Sequence, residues 1–319
     1  MGWPVRLAWL LAIPFWAAAD AQQAPPPAAS PDDQIAAAAP PIAMPLIEID
    51  ERMTVPVTVG EGGPFRFVID TGAERSVVSR ELAAQLGLLP GKRVSVVSMT
   101  DTRVLDTVIV PSLVTIPPLG GPGATIEAPA VEARYLGAAG LLGLDTLRDR
   151  RVSIDFEAGR MAVEPASRRA FEADTSDGEI VVRGKSRFGQ LIVSDAYYGN
   201  TRIRVVLDTG SQVTIANSAL RRKMARKQKT SSIVLVSVTG GQTVADYSVV
   251  SNVRIGDARF TDLPVAFADV APFEKFGLSK KPALLLGMDA LRIFRRVEID
   301  FPNRQVRLLL PRKVQFAQK

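Results

Sequence analysis

Two stretches of this chain combine residue types that can do chemistry together. Phe67-Val68-Ile69-Asp70-Thr71-Gly72-Ala73 runs three apolar residues into a carboxylate, a hydroxyl and a glycine. Val205-Val206-Leu207-Asp208-Thr209-Gly210-Ser211 repeats the device. A carboxylate at the end of an apolar strand is costly unless something satisfies it or uses it. Two such acids held close together cannot both ionise, so the pair keeps one proton. The ionised member can take a proton from water while the protonated member hydrogen-bonds a carbonyl. Asp70 and Asp208 are therefore the candidate acids, and their titration belongs to the pair. Thr71 and Thr209 offer hydroxyls that can lock the two turns together. Gly72 and Gly210 let the backbone turn tightly beside the acids. Ser211 is expected to donate a hydrogen bond to Asp208 and favour its charged form. Ala73 cannot do the same for Asp70, so the two halves are expected to be inequivalent. The bland alternative is a solvent-facing Asp-Thr-Gly turn closing a hairpin. That alternative gives no reason for a second copy.

Composition removes other chemistries. The chain has no histidine and no cysteine. Ser-His-Asp and Cys-His nucleophiles are excluded, as is histidine-ligated zinc. Disulfides and cysteine-linked lipid are excluded too, so the fold must hold by its core. No metal and no cofactor is assigned. The net charge is +6, and its densest basic run is Arg221 to Lys229. Without interleaved aromatics or a nucleic-acid motif, that run reads as a solvated helix face, and no nucleic-acid partner is expected.

The elements that must position the acids come in two sets. Residues 1–21 read as a signal peptide: Arg6, then an apolar run, then Ala19-Asp20-Ala21. The expected location is thus exported, periplasmic or secreted, with no stable membrane span after signal cleavage; an uncleaved anchor is the rival. Residues 22–45, rich in Ala and Pro, suit a tether or a propeptide. Residues 46–165 then form an N-terminal lobe, 166–179 a linker, 180–313 a C-terminal lobe and 314–319 a tail. Each lobe reads as hairpin, Asp-Thr-Gly, short helix, a second hairpin, Leu-Leu-Gly, short helix and a last hairpin. Ser79 and Asn217 are expected helix N-caps. The hairpin tips fall at Thr100, Asp101 and Thr102 and at Thr239, Gly240 and Gly241, and they read as flaps that close on a substrate, with ordinary hairpin turns as the rival. Asp70 to Thr100 and Asp208 to Thr239 differ in spacing by a single residue, and VSIDF at 152–156 answers VEIDF at 297–301. Two copies of one module is the best account.

The order strand, Asp-Thr-Gly-(Ala/Ser), flap hairpin, apolar-apolar-Gly and short helix resembles the aspartic proteases. FVIDTGAERSVVS looks like the retropepsin-type module, and two such modules in one chain resemble the bilobal arrangement of pepsins, in a bacterial exported type. The resemblance covers about 50–163 and 188–310. It implies a mainly all-β fold of two homologous closed β-barrel-like lobes with short helices, with the site in the cleft between them. It implies that Asp70 and Asp208 are catalytic and that Thr71 and Thr209 match the family's interlocking threonines. Leu141-Leu142-Gly143 and Leu285-Leu286-Gly287 match its apolar-apolar-Gly stretch. The flap tyrosine of pepsins has no counterpart at Thr100 to Arg103. The implied activity is endopeptidase cleavage of an extended peptide or protein, with an acidic to mildly acidic optimum. The implied state is a monomer whose lobes pair within the chain; pairing between chains is the rival. A peptide-binding module that keeps the fold without turnover is the alternative function.

Overall fold

The computed structural model describes residues 54–115, 123–166, 179–187, 189–224 and 230–311. The expected signal peptide, tether and tail lie outside the described residues, as do most of the linker and residues 225–229 of the basic run. Among the described residues the chain is mainly β, with helices of four to six residues. No described helix is long and apolar enough to cross a membrane.

The first lobe starts with Thr54–Val59, whose alternation buries Val55, Val57 and Val59. It turns at Gly60 (φ 58°) into Gly62–Ile69. The end of that second strand, Phe67-Val68-Ile69, is buried on both faces. It pairs in parallel with Gly140–Leu142, and strands in such a position read as continuous apolar runs. The sheet continues through Val77–Ser79 and Ala124–Val131 to Thr102–Thr115. The far end of Thr102–Thr115 returns to Thr54–Val59, pairing Val57 with Thr115 and Val59 with Leu113, and the ring closes. Pro90–Val97 adds to the outside of Thr102–Thr115 and completes the projecting hairpin.

The second lobe follows the same circuit in broken pieces. Arg204–Leu207 pairs in parallel with Ala283–Leu286, and the sheet runs on through Ile215–Ala216 and Leu263–Phe267 to Gln242–Val250 and Ser231–Val236. Closure falls to a separate four-stranded sheet in which Ala196–Tyr198 pairs with Val253–Ile255. Asn252 (φ 62°) answers Ser112 (φ 51°) of the first lobe. In the first copy the strand bends there and continues; in the second it stops and restarts.

The short helices sit where their caps predict. Ser79 Oγ accepts from Leu82 N–H at 3.0 Å at the start of Arg80–Gln85. Asn217 Oδ1 accepts from Leu220 N–H at 2.9 Å at the start of Ser218–Arg221. Each copy also holds a one-turn helix that periodicity cannot reveal, Ala133–Leu136 and Ala271–Lys275.

The last hairpins of the two lobes do not stay apart. Arg150–Asp155 pairs antiparallel with Arg296–Asp300, matching Val152 with Ile299, Ser153 with Glu298 and Ile154 with Val297. These are equivalent residues of the repeat, so the pairing is self-complementary about the Ser153–Glu298 pair. Val152, Ile154, Val297 and Ile299 bury one face. On the other face Arg296 pairs with Asp155, and Arg307 with Glu298 and Glu179. This shared sheet fixes one lobe against the other.

Candidate active site

Each acid stands where a buried strand runs out of partners. Asp70 N–H makes the last bond to Leu142 O at 2.9 Å, and Asp208 N–H does the same to Leu286 O at 3.0 Å. The chain then turns around the carboxylate. Asp70 Oδ1 accepts from Gly72 N–H at 2.7 Å and Ala73 N–H at 3.0 Å. Asp208 Oδ1 accepts from Gly210 N–H and Ser211 N–H, both at 3.1 Å.

The two loops are locked to each other. Thr71 Oγ1 accepts from Thr209 N–H at 3.2 Å and donates to Leu207 O at 2.9 Å. Thr209 Oγ1 accepts from Thr71 N–H at 3.1 Å and donates to Ile69 O at 2.7 Å. The glycines are required by the approach of the opposite acid. A Cβ on Gly72 would lie 2.6 Å from Asp208 Oδ1, and one on Gly210 would lie 2.2 Å from Asp70 Cγ. The structure thus brings both acids, both threonines and both glycines to one place.

Burial pushes the Asp70 carboxyl well above the usual range, and the negative charge of Asp208 adds to the rise. Burial pushes Asp208 up to about 6, against the lowering effect of the Ser211 and Gly210 amides. The arrangement favours one shared proton over two charges.

The expected role of the Ser211 hydroxyl is corrected. It donates to Val213 O at 2.6 Å, within its own loop, and does not reach Asp208. Both carboxylates are held by two backbone amides, and the Ala73/Ser211 difference leaves that bonding alike.

Beneath each loop lies an acid that the sequence reading passed over. Asp145 Oδ1 accepts from Ser76 Oγ at 2.7 Å and Ser76 N–H at 2.9 Å, and Ser76 Oγ accepts from Gly143 N–H. Asp289 accepts from Thr214 Oγ1 at 2.6 Å and Thr214 N–H at 3.0 Å, and Thr214 Oγ1 accepts from Gly287 N–H. Burial raises Asp289 to about 6. The signal was present as Leu142-Gly143-Leu144-Asp145 and Leu286-Gly287-Met288-Asp289, a Leu-Gly-x-Asp pattern in both copies. Gln190 was also missed. Its side-chain amide donates across the lobes to the Gly72 carbonyl.

The two hairpin tips meet. Thr100 Oγ1 donates to Ser237 Oγ at 2.9 Å, and Thr239 Oγ1 donates to Asp101 Oδ1 at 2.6 Å. Gly240 (φ 80°) turns beside Tyr135, where a Cβ would lie 2.5 Å from the ring, and Gly241 lies against Thr100 and Asp101. Thr102 does not belong to this contact. It is the exposed first residue of Thr102–Thr115, paired with Val97. The tip residues missed by the sequence reading are Ser98, Met99, Ser237 and Val238.

A family model described as aspartyl protease matches residues 55–146 and 194–290, more than half of the chain. Among solved structures the chain is similar to the crystal structure of a retropepsin-like aspartic protease from Rickettsia conorii, at 19% identity and a TM-score of 0.25. That match covers 42% of this chain and 91% of the other. No curated protein matches.

Proposed function

Because the chain belongs to the aspartyl protease family, we propose that it is an endopeptidase whose water is activated jointly by Asp70 and Asp208. The observation that carries this reading is the reciprocal seating of the acids: each carboxyl lies against the glycine of the other's loop. A binding module has no need to bury two acids together, and buried acids with raised pKa values are a mark of proton-transfer sites.

The chemistry follows from one proton shared by two carboxyls. The ionised member takes a proton from a water as the water oxygen bonds to the scissile carbonyl carbon. The protonated member gives its proton to the carbonyl oxygen, leaving a tetrahedral diol. A proton then passes to the amide nitrogen, the C–N bond breaks, and a carboxylic acid and an amine leave. The pair ends with one proton, as it began. Roles belong to the pair and not to either residue. The lock between Thr71 and Thr209 keeps the acids in register through the cycle. An extended peptide or protein is the substrate, lying between the lobes beneath Thr100, Asp101, Thr239, Gly240 and Gly241. Work in an exported compartment is part of the same proposal, supported by residues 1–21. So is a monomer, supported by the sheet shared between the lobes.

Cleavage of a mixed peptide library at several pH values, by wild type beside Asp208→Asn, tests the proposal. Cuts made only by the wild type, strongest at acidic to mildly acidic pH, are expected. A folded wild type that binds peptides and cuts none at any pH would replace the endopeptidase with a binding module.

A further inference from the structure

The two tips are near copies of each other, and the place where they differ is informative. The first reads Ser98-Met99-Thr100-Asp101 and the second Ser237-Val238-Thr239-Gly240. The apolar residue of each crosses to the other lobe. Met99 packs on the second-lobe cluster that holds Val213, Ile215 and Phe273, and its carbonyl accepts from Ala271 N–H at 3.4 Å. Val238 is buried in the first-lobe cluster of Val77, Leu105, Leu136 and Leu141, against Ala73 beside the catalytic loop. The closed tips therefore occupy space next to both loops.

Between these apolar anchors runs a chain of hydroxyls whose direction can be fixed. Each hydroxyl has one proton to give. Thr239 gives its proton to Asp101 Oδ1, so the 2.8 Å contact between Ser237 Oγ and Thr239 Oγ1 must be donated by Ser237. Thr100 donates to Ser237 in turn. The order is Thr100 to Ser237 to Thr239 to Asp101, passing from one tip to the other and back. Ser98 Oγ donates to the same Asp101 oxygen, and Arg103 Nε donates to Oδ2 at 2.6 Å. Asp101 is the carboxylate on which the chain ends, and bonds in such a chain strengthen one another. Burial alone would push its carboxyl up. The bonds from Ser98, Thr239 and Arg103 outweigh this and hold it below the ordinary aspartate range.

The asymmetry has a physical reason. A glycine at 101 as well as at 240 would leave the hydroxyls without a charged acceptor. Gly240 cannot carry a side chain, because its φ is 80° and Tyr135 fills the space. One acid on one tip is the arrangement left.

We propose that Asp101 is a positioning residue: its carboxylate terminates the hydroxyl chain and holds the two tips closed in register beside the catalytic loops. Substrate is admitted only when the bond from Thr239 to Asp101 breaks, and closure on the substrate remakes it. The link to turnover rests on the proposed protease function; the latch itself does not.

Amide hydrogen exchange in the full chain tests the latch without any need for activity. Asp101→Ala and Thr239→Val should each speed exchange at Ala271 and across 236–243 by about tenfold, the scale of one lost charge-assisted bond. The double variant should be faster by less than the two single effects combined, because the Thr239–Asp101 bond is removed in both single variants and can be lost only once. Asp101→Asn keeps an acceptor oxygen and should fall between wild type and Asp101→Ala. In peptide cleavage, Asp101→Ala should raise KM while kcat changes less. Unchanged exchange in Asp101→Ala, or additive effects in the double variant, would overturn the latch. Altered exchange in a protein whose wild type cuts no peptide would retain the latch and remove the protease reading.

Discussion

At the residue scale the two acids work against the fold that holds them. Asp70 and Asp208 both have folded pKa values above the unfolded value of about 3.9. The fold therefore binds their protons more tightly than the unfolded chain does. The stability this gives is complete below the unfolded pKa and is lost as pH rises through the folded values. At neutral pH the buried pair therefore costs stability. Asp208→Asn retains an oxygen that can accept from Gly210 and Ser211 but cannot ionise. Its melting temperature should exceed wild type at pH 7.5 by several degrees, at about 2–4 °C per kcal/mol. At pH 4 the two proteins should melt together. An equal difference at both pH values in a calorimetric scan would show that the gain has nothing to do with ionisation.

At the scale of elements, the two Asp-Thr-Gly loops form one unit, because each threonine hydroxyl satisfies a backbone amide and a carbonyl of the other loop. Thr71→Val keeps the shape but strands Thr209 N–H and Leu207 O, each buried group costing about 1–3 kcal/mol. Thr71→Ser keeps the hydroxyl. Urea unfolding should place Thr71→Ser near wild type and Thr71→Val about 2–6 kcal/mol below it, with activity lost in the valine variant. Equal losses in the two variants would show that the methyl group and not the hydroxyl matters. Most of these elements were legible in the chain. The apolar run into Asp70 announced a strand, and Ser79 and Asn217 announced their helices. Asp145 and Asp289 were overlooked because a single acid on a one-turn helix resembles any exposed helix residue. Their role depends on Ser76 and Thr214, which only the fold brings near.

At the scale of the molecule, the sheet formed by Arg150–Asp155 and Arg296–Asp300 makes the lobes interdependent. Ile299 is 1% exposed and faces the core from the centre of that sheet. Ile299→Ala should cost about 2–5 kcal/mol and lower the melting temperature of both lobes together, as one calorimetric transition. Two separated transitions, one unchanged from wild type, would mean that the lobes fold independently. The tips tie the lobes a second time, through Met99 and Val238 and the hydroxyl chain between them.

The sequence by itself determined the duplicated module, the paired acids with their threonines and glycines, the mainly β character and the helix caps. These signals are local: an apolar run, a turn residue or a cap acts on neighbours a few positions away. The tertiary structure decided what depends on distance through space. It chose Val213 over Asp208 as the acceptor for Ser211. It joined 152–156 to 297–301 across the lobes, broke the second barrel at Asn252, and set Asp101 of one tip against Thr239 of the other. A hydroxyl or a carboxylate has several partners within reach of its own rotamers, and a strand edge pairs with any edge of matching register. Which partner is met is fixed by the packing of the whole core, and no local pattern contains that choice.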